Sequence, residues 1–344
     1  SVMFDGTKIH MYYHAGPVVP HYLGHATSID GINWNKDANP ILDRGGFGAF
    51  DSNLIAAPRA LRYLNKLRLY YSGFDGAHWR VGLAEELIPV PYYSQSDPLW
   101  ANDIYDSAQN WAAPESQTMA SLGCAVTSAT MVLRHFNVQK TPGNPDTSLP
   151  AKELTPGTLN EWLKSVQDGS FRNGATNFAS IANMTVKSHE LDASSPKLEY
   201  SQGFNTSDID EELNNNRKPI LKLEYLPSPS DMHFVVATGS ANSTYTILDP
   251  AHEDLKALSP NYQTLLRVDK FEVTNSDFSY LILAVDEGVN LELADKNQQP
   301  VGSQQLEKPL FDQVNEHSYG GVTLNVLYLK HPNIGSYTLN ISNL

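Results

Sequence analysis

Four residues carry the chemistry this sequence offers: Gln95, Cys124, His233 and Asp249. Cys124 is the only cysteine in 344 residues. It follows Gly123 and opens an apolar, helix-like run that extends to Leu133. A thiol at a helix N-terminus feels the positive end of the helix dipole and unpaired backbone N–H groups, and both favour the nucleophilic thiolate. Such a nucleophile needs a base to take its proton, and the base needs a group to orient it. His233 and Asp249 are of the right types for those two tasks. The amide of Gln95, beside the Cys124 N–H, can donate to the oxyanion that forms when a carbonyl is attacked. Plainer readings stand beside these. A lone cysteine is often a small buried hydrophobe, a histidine a structural group, Asp249-Pro250 a turn start, and Gln95 a loop residue. Gln109 and Gln117 lie on the same side of the cysteine as Gln95. His252 follows the Asp-Pro turn and ranks below His233.

The elements that must position these groups are legible in the flanking pattern. Val126, Thr130 and Leu133 share one face of a helix from Cys124 to about Asn137. Further helices are expected over 155–164, with Pro156 at the start, and over 207–214, with Ser207 as cap and acids in the first turn. Strands follow over 219–225, 233–239 and 245–250. His233 opens its strand after the irregular Pro227-Ser228-Pro229-Ser230-Asp231, and Asp249 ends the next. In a hairpin the start of one strand lies beside the end of the other, so His233 and Asp249 can meet. Helices followed by an antiparallel sheet make an α+β arrangement. His189 lies in a polar stretch and reads as solvated.

The order Gln95-x-Asp97-Pro98-x-Trp100, Gly123-Cys124-x-x-Thr127-Ser128, His233-Phe234-Val235-Val236 and Leu248-Asp249-Pro250 resembles papain-like cysteine peptidases of the bacteriocin-processing, C39-like type, in the branch without an attached transporter. The resemblance covers residues 88–272. It implies a papain-like fold with Cys124 as nucleophile, His233 as general base, Asp249 as its orienter and Gln95 in the oxyanion hole. It implies a peptide or protein substrate and no metal or organic cofactor.

The flanking segments read as β structure. In 1–87, Asp5 to Tyr13 aligns with Tyr63 to Tyr71, and Leu23 to Ala26 with Val81 to Ala84, both 58 residues apart. The pattern Ser28-x-Asp30-Gly31-x-x-Trp34, Asn39-Pro40-Ile41-Leu42 resembles blades of five-bladed β-propeller glycoside hydrolases, and about two blades are expected. Asp51 stands where a sugar-handling carboxylate would, but the second carboxylate a glycosidase needs is not identifiable. His10, His14, His21, His25 and His78 match no metal-site spacing and read as strand and surface residues. Residues 273–344 alternate as four strands and resemble a β-sandwich accessory module of secreted bacterial enzymes. Asp286, Glu287, Glu292 and Asp295 there match no calcium spacing.

The totals bound the function. Lys plus Arg is 24 against 38 Asp plus Glu, a net charge of −14, with no basic cluster. That balance argues against nucleic acid and anionic membrane surfaces as partners. No apolar run reaches the length of a membrane span. One cysteine precludes an internal disulfide. Low charge and many Asn, Ser, Thr, Tyr and Gly point to a secreted or cell-surface bacterial protein, a part of something larger. The multidomain reading is a secreted cysteine peptidase flanked by β modules. The alternatives are an inactive binder of peptide, cell-wall material or carbohydrate through the β modules, within an extracellular assembly, or acyl transfer or amide hydrolysis on a non-peptide substrate with the same four residues.

Overall fold

The computed structural model describes residues 1–16, 22–63, 66–166, 169–172, 174–225, 228–241, 244–260, 262–275, 280–286, 289–295, 297–301, 324–330 and 338–343. The chain forms two compact units, Ser1–Ile88 and Pro89–Leu344. Both mix turns with antiparallel sheet, and the helices lie in the second. His21, Pro227 and Glu287 lie outside the described residues.

The first unit holds β1 (Val2–Phe4), β2 (Ile9–Ala15), β3 (Tyr22–Ser28), β4 (Asn35–Lys36), β5 (Leu42–Asp43), β6 (Leu54–Tyr63), β7 (Lys66–Phe74) and β8 (Trp79–Glu85). The first five form one antiparallel sheet and β6-β7-β8 another. Leu23, Ile55 and Tyr71 are the buried centre between them. The repeat has a physical basis. Tyr13 pairs across strands with Gly24, and 58 positions later Tyr71 pairs with Gly82. Each ring lies on its glycine so closely that a Cβ would sit 2.5 Å and 2.4 Å from the ring carbon Cζ. Only glycine leaves room for the ring.

Two expectations for this unit change. No closed barrel or propeller is present among the described residues; the second sheet stops at three strands, and local repetition says nothing of ring closure. Asp51 is buried and accepts the Tyr71 hydroxyl at 2.8 Å. Burial, then that hydrogen bond, pushes the Tyr71 hydroxyl up to about 12. This is an internal structural pair. His10 and His25 lie on β2 and β3, in keeping with the strand reading, and their rings are engaged by neighbours. Asp5, His10, His25 and Asp37 form one hydrogen-bonded row with links of 2.8, 2.9 and 2.9 Å, and the two rings stack with centroids 5.2 Å apart.

The second unit carries α1 (Met119–Leu122), α2 (Cys124–His135), α3 (Pro156–Ser165), α4 (Phe178–Leu191) and α5 (Thr206–Asn214). Two small ribbons, β9 (Lys140–Thr141) with β10 (Lys152–Glu153) and β11 (Phe171–Arg172) with β12 (Ala175–Thr176), join the helices. The main sheet comprises β13 (Leu198–Gly203), β14 (Ile220–Tyr225), β15 (Ser228–Ala241), β16 (Thr244–Leu248) and β17 (Tyr262–Val273), in the order β13-β17-β14-β15-β16, antiparallel throughout. Beyond it, β18 (Tyr280–Asp286) pairs with β21 (Leu324–Lys330), and β19 (Val289–Ala294) lies between β20 (Pro300–Val301) and β22 (Thr338–Asn343).

α2 is buried on every side from Ala125 to Leu133. Val126, Ala129, Val132 and Leu133 join one core with Trp162 of α3, Phe178 and Ile181 of α4, and Val236 and Phe271 of the sheet. A helix surrounded by core is held rigidly, since close-packed interiors leave little room for displacement. Its hydroxyls are spent on backbone: Thr130 Oγ1 donates to Val126 O at 2.9 Å and Ser128 Oγ to Phe234 O at 3.1 Å. The second bond ties α2 to β15.

β15 begins at Ser228, so His233 lies within a strand and does not open it. The pairing with β14 slips between Glu224 and Tyr225, from Glu224↔Met232 to Tyr225↔Ser228. A bulge at that point lets the segment that contains Pro229 join the sheet, where proline is tolerated. His189 is half-buried near the end of α4, its Nδ1 bonded to Ser195 O at 2.6 Å, rather than solvated.

Candidate active site

The position of Cys124 is built by an interruption in the helix. α1 ends at Leu122, Gly123 stands between the helices, and α2 starts afresh at Cys124. The Cys124 N–H therefore has no carbonyl one turn earlier in its own helix, the usual state of a first-turn donor. The carbonyl of Ala120, four residues before it, accepts the Gln95 Nε2–H at 2.6 Å. Gly123 is required by space: a Cβ there would lie 2.4 Å from the Met119 backbone oxygen. Gly123→Ala is expected to cost about 1–3 kcal/mol by overpacking and to displace Cys124. A lowered melting temperature together with slower thiol alkylation checks it.

The opposite wall is the β15–β16 hairpin. Val236 pairs with Leu248, which brings the residues beyond each, His233 and Asp249, together at one end of the hairpin. His233 Nε2 donates to Asp249 Oδ1 at 2.7 Å. Its other nitrogen, Nδ1, is left for the Cys124 side chain, which is hydrogen bonded to the ring. Asp249 is 1% exposed. Its Oδ1 also accepts the N–H groups of Ala251 (2.9 Å) and His252 (3.1 Å), and its Oδ2 accepts the Tyr262 hydroxyl. The first two bonds are the local turn an aspartate makes with the backbone just after it.

The electrostatics follow from these contacts. Burial disfavours a charged imidazole, but the Asp249 hydrogen bond, the Cys124 hydrogen bond and the negative charges of both partners outweigh it and raise His233 from 6.5 to about 10. Burial likewise pushes Asp249 up; the bond to His233 and its charge, then Tyr262 and the Ala251 N–H, overrule it and hold the carboxyl below its ordinary value. Hydrogen bonds favour the charged form of each group and burial disfavours it, so bonding raises the proton affinity of the imidazole and lowers that of the carboxylate, and here bonding wins for both.

The structure brings all four expected residues to one place. Gln95 is 5% exposed; its N–H reaches Pro250 O at 2.9 Å, which ties it to the Asp249 turn as well as to Ala120. Its Oε1 is buried with no hydrogen-bond partner among the described residues. Of its rivals, Gln117 spends its amide on Ala112 O at 2.9 Å, and Gln109 is exposed. His252 stays at the rim, its ring 6.1 Å from that of His233 between centroids. Tyr262 is the residue the sequence pattern did not single out. It stacks on His233, with centroids 5.9 Å apart and planes 13° apart, and bonds Asp249. Among the described residues no group of three or more His, Cys, Asp and Glu could hold a metal ion, and no helix is long and apolar enough to cross a membrane.

No curated protein matches the chain. Residues 87–279 match the Peptidase_C39 like family, and with more than half of its length in that match the chain belongs to this family of peptidases.

Proposed function

We propose that this chain is a cysteine peptidase in which Cys124, His233 and Asp249 act as a catalytic triad and Gln95 serves the oxyanion. The observation that carries the reading is the hydrogen-bonded row from the Cys124 thiol through both nitrogens of His233 to the buried Asp249 carboxylate. In this reading the imidazole takes the thiol proton, and the sulfur meets the substrate as an anion beside an imidazolium. The Cys124 sulfur attacks the peptide carbonyl. The oxygen gains negative charge beside the Cys124 N–H and the second hydrogen of Gln95 Nε2, the first being held by Ala120 O. His233 Nδ1 passes its proton to the departing amine, and the acyl group remains as a thioester. Water then attacks the thioester, giving a proton to His233 and restoring the thiolate. Asp249 stays ionised and keeps the ring in one orientation.

The proton inventory gives a pH dependence with a definite sign. His233 must be protonated to release the amine, so activity is expected to fall on the alkaline side as pH passes about 10. Asp249→Asn removes the principal support for the charged ring and is expected to lower that limb by about one unit or more. The kcat/KM profiles of both proteins check it. Because the ring binds its proton more tightly folded than unfolded, this interaction's stabilisation is complete below pH 6.5 and is lost as pH rises through about 10.

The site is proposed to work outside the cell, in keeping with low charge and β-rich flanks. The test is hydrolysis of a diverse peptide mixture by the whole chain, with cleavage products identified by mass. Thiol-dependent cleavage that Cys124→Ala abolishes supports the reading. Cleavage that survives the substitution, or a wild-type thiol that reacts only as an ordinary alkaline one while no peptide is cut, overturns it.

A further inference from the structure

Asp249 presents its two oxygens to different tasks. Oδ1 collects His233 and two backbone N–H groups, whereas Oδ2 receives one bond among those found, from the Tyr262 hydroxyl. The carboxylate is almost wholly buried, so water cannot replace that donor. Tyr262 is 6% exposed and sits at the first position of β17, opposite Tyr225 of β14. Its ring is held in the core with Leu221, Leu223, Val235 and Val268. One anchored side chain thus touches both remaining members of the row: its face lies on the imidazole and its hydroxyl grips the carboxylate. Resting on the peptidase reading above, we infer that Tyr262 is a positioning residue that fixes the angle between the Asp249 carboxylate and the His233 ring, and through them sets the reactivity of Cys124.

A carboxylate held at one oxygen can swing about its Cβ–Cγ bond. Held at both, it keeps Oδ1 in line with His233 Nε2. A parallel ring on the imidazole restricts its tilt and excludes water from the bond. Loss of the hydroxyl leaves a buried Oδ2 without this donor, a loss the carboxylate reduces by taking a proton or turning away. Either response weakens the imidazolium that stands beside the sulfur. Other charges facing this group come from the turn after β16, where Glu253 and Asp254 lie exposed, and from His252 at 6.1 Å. They are common to every variant below.

The experiment reads the rate of iodoacetamide alkylation of Cys124 against pH, a measure of thiolate that needs no turnover. Tyr262→Phe keeps the stacked ring and is expected to raise the midpoint by about one pH unit, equivalent to an approximately tenfold slower reaction on the acid side. Tyr262→His, a flat ring with an N–H donor, is expected to return the midpoint toward wild type, and it serves also if the Phe variant does not fold. Adding Tyr262→Phe to Asp249→Asn is expected to change nothing further, because the tyrosine acts through the aspartate. A wild-type midpoint below that of an ordinary thiol with Tyr262→Phe unchanged overturns the role of Tyr262 alone. An equal shift in the Phe and His variants assigns the effect to packing and overturns it too. A wild-type midpoint of an ordinary thiol overturns both this inference and the peptidase reading beneath it.

Discussion

Cys124→Ala is expected to reduce peptide hydrolysis to the level of buffer while leaving the fold in place. The chain has no second thiol to substitute for the first. The side chain lost is small, and α2 is anchored through Val126, Ala129, Val132 and Leu133, not through the cysteine. Its melting temperature should therefore stay close to that of wild type at neutral pH. Cys124→Ser is the sharper form of the same test. It keeps a hydroxyl in the same place, but an alcohol is a far weaker acid than a thiol and His233 is built to stabilise an anion beside it, so the serine variant should also be inactive. Cleavage assays on purified wild-type and variant protein decide this, with the melting curve as the control for folding.

His233→Ala is expected to lower kcat/KM by roughly 10²–10⁴-fold, the range that general acid–base catalysis supplies. Unlike the cysteine substitution it should also destabilise. Breaking a buried pair leaves the other charge behind, at about 3–5 kcal/mol when nothing else holds it. Here Asp249 keeps Tyr262 and two backbone donors, which places the loss toward the low end of that range. His233→Gln tests the division of the two effects. Its amide can still donate to Asp249 but cannot carry a proton to the leaving amine, so stability should recover more than activity. Denaturant melts beside initial rates read both.

The site was largely legible because its rules are local. Gly123 before a lone cysteine marks a helix start, and the antiparallel pairing of two successive strands, β15 and β16, brings His233 near Asp249 by strand geometry alone. What failed to show were non-local contacts. Tyr262 reaches the site through the pairing of β17 with β14, strands far apart in sequence, and no spacing within the hairpin announces it. The start of β15 was obscured because Pro229 reads as a strand breaker, whereas the register slip at Glu224–Tyr225 admits the segment from Ser228. α4 was hidden by its Asn, Thr and Ser residues, which weaken a helix pattern; it is set by the Asn177 side chain capping the Ala179 N–H at 3.0 Å and by burial of Phe178, Ile181 and Met184. In the first unit the repeated Tyr-on-Gly contact was visible as an alignment, but a propeller is a statement about closure, which no pair of segments contains. The Asp5–His10–His25–Asp37 row was likewise out of reach, since it joins side chains from a turn, two strands and a loop.

Covalent catalysis by Cys124 is tested by the intact mass of the protein, quenched in acid while a cleavable peptide is being turned over, followed by mapping of any adduct. The expected result is a transient acyl group equal in mass to the N-terminal product of the peptide, carried as a thioester on Cys124 and accumulating further when hydroxide or water attack is slowed at low pH. Continued cleavage with no adduct at Cys124 under every quench condition, or an acyl group found on a different residue, would contradict it.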